Sequence, residues 1–159
     1  MNYKNKKKLI LIALNELNFD LIKKYVENDK LKNLKKIVDK ISFTTSESEY
    51  KYLEPWIQWP SIYFGKKAKD HGIFRLGDGK NCIHNSIFET LEFKGINVGA
   101  ICPMNLNNNL KNPVFFLPDP WMETKSSGGL FLNFAKESIS NLTKDNVRKK
   151  LNIKSYLKF

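Results

Sequence analysis

Arginine is scarce in this chain, although basic residues are not. Only Arg75 and Arg148 are arginines among 27 basic residues, and the formal net charge at pH 7 is +11. Recognition of bases and phosphates favours the planar guanidinium group, which forms two parallel hydrogen bonds. The lysines are spread along the whole chain. The composition therefore predicts solvated lysines and no specific nucleic-acid partner, and a looser attraction to anionic substrates or lipid surfaces stays open.

Cysteine and long apolar runs are also scarce. Cys82 and Cys102 are the only two cysteines and are not in CxxC spacing, which predicts free thiols in a reducing compartment. The apolar run at residues 9–14 is too short for the core of a signal peptide. No stretch approaches the roughly 20 apolar residues of a membrane span. These absences predict a soluble, cytoplasmic protein without a transmembrane segment.

The hydrophobic pattern alternates between strand and helix types. Residues 9–14, LILIAL, are apolar throughout, as is typical of a strand covered on both sides in a parallel sheet. The sequence predicts a second strand at residues 41–45 and a third at residues 96–101. Apolar residues at spacings of three and four predict helices at residues 19–26, 31–38, 86–94 and 130–142. The helix at residues 86–94 also has candidate capping residues, Asn85 or Ser86 at its start and Gly95 just after its end.

Together these elements predict one α/β domain over residues 1–159, with a largely parallel sheet flanked by helices and a right-handed crossover between strands. Residues 102–129 contain four prolines and little periodicity. This segment predicts a long loop that lines a site or packs over one. Asp119 and Glu123 lie in it; the default expectation for both is a solvated loop carboxylate, and the alternative is a carboxylate that faces the site.

Two polar residues, Asn15 and Glu16, directly follow the first apolar run. Ligands of parallel α/β sheets bind outside the carboxyl ends of the strands, so these residues stand where a site is expected. A carboxylate binds a divalent cation, and an amide oxygen does so more weakly. The alternative is that Asn15 or Asn18 caps the helix that begins near Phe19. Position alone leaves the two interpretations level.

A second candidate region is YLEPWIQWPSIYFGKKAKDHGIFRLGD, residues 52–78. It combines Trp56, Trp59, Ser61 and His71 in a loop, a helix and a second loop. Pro60 is expected to start a helical turn, the tryptophans to pack in the core, and His71 to be a structural residue in a turn.

Three sequence blocks carry a resemblance to a known family. ALNELNFDLI is similar to the family pattern GlDGatfDli, EPWIQWPSIYFGK with DHGIF is similar to TaPaWtSfaTGk with HGI, and SIFETLEFKGINVGAICP is similar to iweiLeeaGkkvgvvnvP. In this order and spacing, residues 9–118 resemble the N-terminal part of the alkaline phosphatase superfamily, in its type I phosphodiesterase and nucleotide pyrophosphatase branch.

The resemblance implies an alkaline-phosphatase-like α/β fold with bound divalent metal, often zinc, and a hydroxyl nucleophile that attacks phosphorus or sulfur. Asn15 stands at the position of a metal-ligand Asp, and the neighbouring Glu16 supplies a carboxylate. Pro55 or Glu54 stands at the nucleophile position, and Ser61 is a hydroxyl downstream of it. The resemblance thus implies Asn15 and Glu16 as metal ligands and Glu54 and Ser61 as catalytic residues.

The family takes most of its metal ligands from a second half that has no counterpart in this sequence. The resemblance therefore implies an N-terminal part that needs a C-terminal half or a companion chain. The function that follows is hydrolysis or transfer of small-molecule phosphate or sulfate esters, and the alternative is a non-catalytic relative that binds a ligand or partner. The first function predicts that Asn15 and Glu16 lie within about one metal coordination sphere of Glu54.

Overall fold

The computed structural model describes residues 8–38, 40 and 49–147, with side chains described as far as residue 143. The chain divides into two units, residues 1–46 and 47–159. A single domain over residues 1–159 stays a prediction. The strand predicted at residues 41–45 lies outside the described residues.

The first unit contains the two predicted amphipathic helices, α1 (Phe19–Glu27) and α2 (Lys32–Val38). Helix α1 begins at the cap residue Asn18, whose Oδ1 accepts a hydrogen bond from the backbone N–H of Leu21 at 2.9 Å. Ile22 and Val26, four residues apart, form its buried side. Both helices are therefore confirmed, and the capping role belongs to Asn18.

The prediction of a buried strand at residues 9–14 is wrong. This run has no regular secondary structure, and Leu9 and Ile10 are more than 80% exposed. A strand requires a neighbouring strand to satisfy its backbone N–H and C=O groups. Within residues 8–38 and 40 of this unit there is no strand that could pair with residues 9–14. Apolar composition alone therefore does not make this run a strand.

The second unit begins with a 3₁₀ turn and two helices, α3 (Pro55–Phe64) and α4 (Ala68–His71). Pro55 occupies the first turn of α3, where a missing N–H costs nothing, and Gly65 ends the helix with a left-handed φ of 60°. Pro60 was expected to start a helical turn, but it lies inside α3 and is buried. The helix thus begins one proline earlier than the sequence predicts.

Helix α5 (Ile87–Phe93) follows a second 3₁₀ turn (Asp78–Asn81) and begins as predicted. Ser86 Oγ accepts from the N–H of Glu89, and the Glu89 carboxylate accepts from the N–H of Ser86. This reciprocal capping box confirms Ser86 as the cap. Gly95 follows the helix with a φ of 73°, as expected of a residue just beyond a helix end.

The described sheet has two parallel strands, β1 (Gly99–Ile101) and β2 (Phe115–Leu117). Ala100 is paired with Phe116, and Phe116 also forms an antiparallel bridge with Ser127 on its other side. Strand β1 confirms the prediction for residues 96–101 over a shorter range. Strand β2 lies in the segment predicted as a loop, so that prediction is wrong at this point. The α/β class is confirmed in the form of one parallel strand pair with helices.

The core of the second unit lies between the helices and this strand pair. Tyr63, Ala100, Leu106 and Phe116 are buried together, and Phe88 packs on Tyr63 with ring centroids 5.5 Å apart. Trp59 stacks on Tyr63 at 6.0 Å, which confirms core packing for this tryptophan. Helix α6 (Leu130–Val147) follows and packs against β2.

Candidate functional site

Polar residues follow both strands at the carboxyl edge of the parallel pair. Asn105 lies shortly after β1, and Asp119 lies two residues after β2. Parallel strands end at the same edge, so the two residues meet: the backbone N–H of Asn105 donates to Oδ2 of Asp119. This edge is where α/β proteins bind their ligands. It is the most polar buried part of the second unit's described residues.

Asn105 is fully buried, and its side-chain amide accepts two hydrogen bonds through the oxygen and donates two through the nitrogen. Oδ1 accepts from the N–H groups of Gly77 at 2.9 Å and Gly79 at 3.3 Å. Nδ2 donates to the carbonyl oxygens of Trp56 at 3.0 Å and Arg75 at 2.8 Å. The residue has a φ of 56°, a left-handed conformation that asparagine tolerates better than most residues. One amide therefore fixes α3 and the turn after α4 on the strand ends.

The bond from Asn105 to Trp56 has a specific cause in the sequence of α3. In a helix the N–H of residue 60 would donate to the carbonyl of residue 56, but residue 60 is proline and has no N–H. The carbonyl of Trp56 therefore lacks its helical donor. Nδ2 of Asn105 takes that place at 3.0 Å. The proline inside α3 and the buried amide are thus parts of one arrangement.

Asp119 is a buried carboxylate and is only 3% exposed. Besides the N–H of Asn105, it accepts from those of Trp121 at 2.7 Å and Met122 at 3.2 Å, both on Oδ1. Burial raises the pKa of Asp119, and the three hydrogen bonds offset only part of that rise. The prediction that Asp119 is a solvated loop carboxylate is therefore wrong. Glu123 lines an open surface groove of about 340 Å³ beside α6.

Tyr63 and Cys102 lie close enough to Asp119 for its charge to affect them. Burial, and then the negative charge of Asp119, raise the pKa of both the Tyr63 hydroxyl and the Cys102 thiol. The Cys102 thiol donates a weak hydrogen bond to the Pro118 carbonyl at 3.8 Å. A thiol with a raised pKa stays protonated at neutral pH, and only the thiolate is a good nucleophile. The edge therefore lacks an activated cysteine, and both cysteines are free thiols.

Ser61 and His71 form a hydrogen-bonded pair between α3 and the end of α4. Ser61 Oγ is 2.9 Å from Nε2 of His71, and the hydroxyl donates to the Ile57 carbonyl at 3.1 Å. The backbone N–H of Ile73 donates to Nδ1 of His71 at 3.0 Å. Nδ1 therefore carries no proton, and the neutral ring carries its proton on Nε2 and donates it to Ser61.

The direction of these bonds decides what the pair can do. A catalytic histidine accepts the proton of the serine that it activates. Here His71 donates a hydrogen bond to Ser61, and the Ser61 hydroxyl donates its own hydrogen bond to the Ile57 carbonyl. Burial lowers the pKa of His71, which favours this neutral ring. The prediction that His71 is a hydrogen-bonded turn residue agrees with this geometry, and the catalytic role of Ser61 stays a prediction.

Glu54 lies at the other end of α3, as its cap residue, without a capping hydrogen bond from its side chain. It is exposed. Seven residues are close to two helical turns and rise about 10 Å, so Glu54 and Ser61 lie on one side of α3 at different heights along its axis. Their catalytic roles stay predictions.

Asn15 and Glu16 occupy a turn before α1 in the first unit. Both are exposed, and Glu16 has a left-handed φ of 54°. Non-glycine residues with such a φ are uncommon. Because Asn18 caps α1, the capping alternative does not explain Asn15. Their role as metal ligands stays a prediction.

The chain matches no protein-family model, no curated protein and no solved structure. Family membership is therefore not established by comparison, and the resemblance of the three blocks stays an interpretation of the sequence. In the parts of the chain that the structure describes, no helix combines the length and apolar character needed to cross a bilayer.

Asn105, whose side chain binds four backbone groups at this edge, was not among the residues predicted from the sequence. It lies in the run NLNNN, which has the composition of a solvated loop. One signal points to it indirectly: a proline inside a helical stretch leaves a carbonyl that needs another donor. Chemically, the edge offers a buried carboxylate with a raised pKa and a rigid set of backbone groups. The backbone groups position the loops at this edge. The Asp119 carboxyl group holds a proton more readily than an ordinary carboxyl group does, because its pKa is raised.

Proposed function

We propose that this chain is the N-terminal part of a metal-dependent hydrolase or transferase domain that acts on small-molecule phosphate or sulfate esters. One observation carries the proposal. The second and third resembling blocks pack on each other through Tyr63 and Phe88, next to the carboxyl edge of a parallel strand pair. Asn105, two residues after the third block, binds the carbonyl of Trp56 in the second block and that of Arg75 directly after it. This is the edge at which an α/β enzyme holds its substrate.

The sequence interpretation implies a bound divalent metal, often zinc, which requires a cluster of ligand side chains. In residues 8–38, 40 and 49–147, no three His, Cys, Asp or Glu side chains lie together in a way that could hold a metal ion. A bound zinc needs three or four such ligands. The described residues alone therefore do not fit the metal. In this proposal Asn15 and Glu16 contribute ligands and the others come from outside the described residues.

A second candidate is a non-catalytic relative that binds a ligand or a partner. The Ser61–His71 pair favours it, because the histidine donates to the serine hydroxyl instead of accepting its proton. Reversal of the pair would require a proton on Nδ1. The N–H of Ile73 would then lose its acceptor in a buried site.

Zinc uptake and ester hydrolysis by the full chain separate the two candidates. The substrates are p-nitrophenyl phosphate, bis(p-nitrophenyl) phosphate and p-nitrophenyl sulfate, assayed with and without Zn²⁺, and bound zinc is measured by mass spectrometry. The enzyme proposal expects zinc-dependent turnover that Glu16→Ala abolishes and Glu27→Ala, a change at another exposed carboxylate near α1, preserves. Such turnover would reject the non-catalytic relative, whereas zinc uptake and turnover that Glu16→Ala leaves unchanged would reject the enzyme proposal.

A further inference from the structure

The imidazole of His71 connects three segments of the second unit. It lies at the end of α4, bonds through Nε2 to Ser61 on α3, and accepts through Nδ1 from the N–H of Ile73 in the following turn. The ring is 5% exposed, and the ring of Phe64 lies 6.4 Å from it, centroid to centroid. Both ring nitrogens are therefore used, one as donor and one as acceptor.

Protonation of this ring would break one of these bonds. A proton on Nδ1 turns the acceptor into a donor that faces the N–H of Ile73, so that hydrogen bond is lost and a positive charge is buried. The charged groups that act on the ring are Asp70, whose carboxylate attracts the charge, and His84, which repels it once protonated. From α3 the ring meets the Ser61 hydroxyl, the Phe64 ring and the backbone carbonyl of Ile57, none of which carries a formal charge. The Ile57 carbonyl favours the protonated ring, but burial outweighs it and lowers the pKa of His71.

The segment that would be freed is residues 72–79. Its other attachments are the hydrogen bond from the Trp56 indole to the Phe74 carbonyl, those from the Gly77 and Gly79 N–H groups to Oδ1 of Asn105, and that from Nδ2 of Asn105 to the Arg75 carbonyl. The Phe74 and Arg75 N–H groups donate to Asp78 within the segment. Ile73 is 1% exposed and is the apolar anchor of the segment. Loss of the bond at Ile73 therefore loosens the segment at its buried end.

We propose that His71 is an acid-sensitive latch, which holds residues 72–79 against α3 while the ring is neutral and releases them when the ring is protonated. This inference does not depend on the proposed function. A change in pH then alters the carboxyl edge without any ligand, because Asn105 binds the same segment.

The sign of the pH dependence follows from burial. Burial lowers the pKa of His71 below its unfolded value of about 6.5. A group of this kind contributes stability that is present above the unfolded pKa and is lost as the pH falls toward the folded pKa and below it. Asp119, whose pKa is raised by burial, acts in the opposite direction. A comparison of pH 7.5 with pH 5.5 therefore needs His71→Asn beside the wild type, because this variant keeps Asp119 and removes only the histidine contribution.

Nuclear magnetic resonance of the full chain gives the first test, because the sequence contains only two histidines. The expected result is that the His71 ring titrates below the ordinary range of histidine and that the amide signal of Ile73 shifts with the same midpoint as His71. A His71 ring that titrates at or above its ordinary value, or an Ile73 signal that does not follow it, would overturn the latch.

Cleavage by an arginine-specific protease tests the release itself. Arg75 lies in the freed segment, and cleavage of an arginine-containing model peptide measures the protease activity at each pH. The ratio of cutting at Arg75 to cutting of the peptide is expected to rise about threefold or more from pH 7.5 to 5.5, because cleavage follows the open population. In His71→Asn, which keeps an acceptor near Nδ1 but does not titrate, the ratio is expected to stay constant.

The matched control is His84→Asn, which leaves both hydrogen bonds of the His71 ring in place and removes a charge that repels the protonated ring, so it should show a rise at least as large as that of the wild type. An equal rise in His71→Asn and the wild type would contradict the proposal, as would a constant ratio in the wild type. If His71→Asn does not fold, the resonance titration of the wild type decides the matter alone.

Discussion

The backbone N–H of Asn105 donates to the buried carboxylate of Asp119, and this hydrogen bond joins the segments that leave the two parallel strands. The Asn105 side chain then binds backbone groups on α3 and on the turn after α4. Asn105 and Asp119 therefore hold the carboxyl edge, and the polar side-chain atoms of both are hydrogen-bonded. Such networks fix one arrangement well, since each unpaired member would be costly.

Replacement of Asp119 should weaken the fold more than replacement of an exposed carboxylate. Asp119→Ala removes the acceptor of three backbone N–H groups, and we expect a loss of about 3 kcal/mol in the free energy of unfolding. Asp119→Asn keeps one carbonyl oxygen and should lose less. Urea unfolding followed by circular dichroism measures both, with Glu137→Ala on the exposed side of α6 as the control. Equal stability of Asp119→Ala and the control would contradict this account of the edge.

The same carboxylate gives a pH dependence of defined sign. Its folded pKa is raised by burial, so its contribution to stability is fully present below the unfolded pKa of about 3.9 and is lost as the pH rises through the folded pKa. Asp119→Asn does not titrate. We therefore expect the stability of the wild type relative to Asp119→Asn to increase as the pH falls from 7 to 4.5, measured by urea unfolding at each pH. A decrease over this range would show that the hydrogen bonds outweigh burial.

The helices were predictable because their signals are local. Periodicity at three and four and nearby capping residues determine α1 and α5, and in both cases the cap lies where the sequence indicates it. Strands depend on partners elsewhere in the chain. Residues 9–14 have the composition of a buried strand but no partner strand in the described structure. Strand β2 lies between prolines and nevertheless forms, because Ala100 and Ser127 pair with Phe116.

The candidate site was less predictable, because its contacts join residues far apart in the sequence. Asn105 is separated from Gly79 by 26 residues and from Trp56 by 49. Its own neighbours in the sequence indicate only a polar loop. The Ser61–His71 contact spans 10 residues, and the sequence analysis named both residues but not their contact or its direction. Direction depends on the N–H of Ile73, a backbone group that no side-chain pattern shows.

Gly79 should resist substitution for a steric reason. A Cβ atom at this position would overlap the backbone carbonyl of Asn105, and Gly79 is buried. We expect Gly79→Ala to cost about 2–3 kcal/mol in thermal or urea unfolding, because the rigid backbone must move. The control is Gly95→Ala, where a Cβ meets open space and only the positive φ is unfavourable, at about 1 kcal/mol. A smaller loss at Gly79 than at Gly95 would show that the Asn105 loop moves easily.

The arrangement of Pro60 and Asn105 predicts that their substitutions are coupled. Asn105→Ala leaves the Trp56 carbonyl without a donor, since Pro60 has no N–H to offer. In Pro60→Ala the helix regains that N–H, so Asn105→Ala should cost about 1 kcal/mol less in this background than in the wild type.

A double-mutant cycle measured by urea unfolding gives this coupling, and a cycle of Asn105→Ala with Pro55→Ala is its control. Pro55 lies in the first turn of α3, where a missing N–H leaves no carbonyl unpaired, so those two changes should be additive. Equal coupling in both cycles would mean that the substitutions interact through a general loosening of α3. Coupling confined to Pro60 would establish that a buried amide replaces the hydrogen bond that the helix loses at its proline.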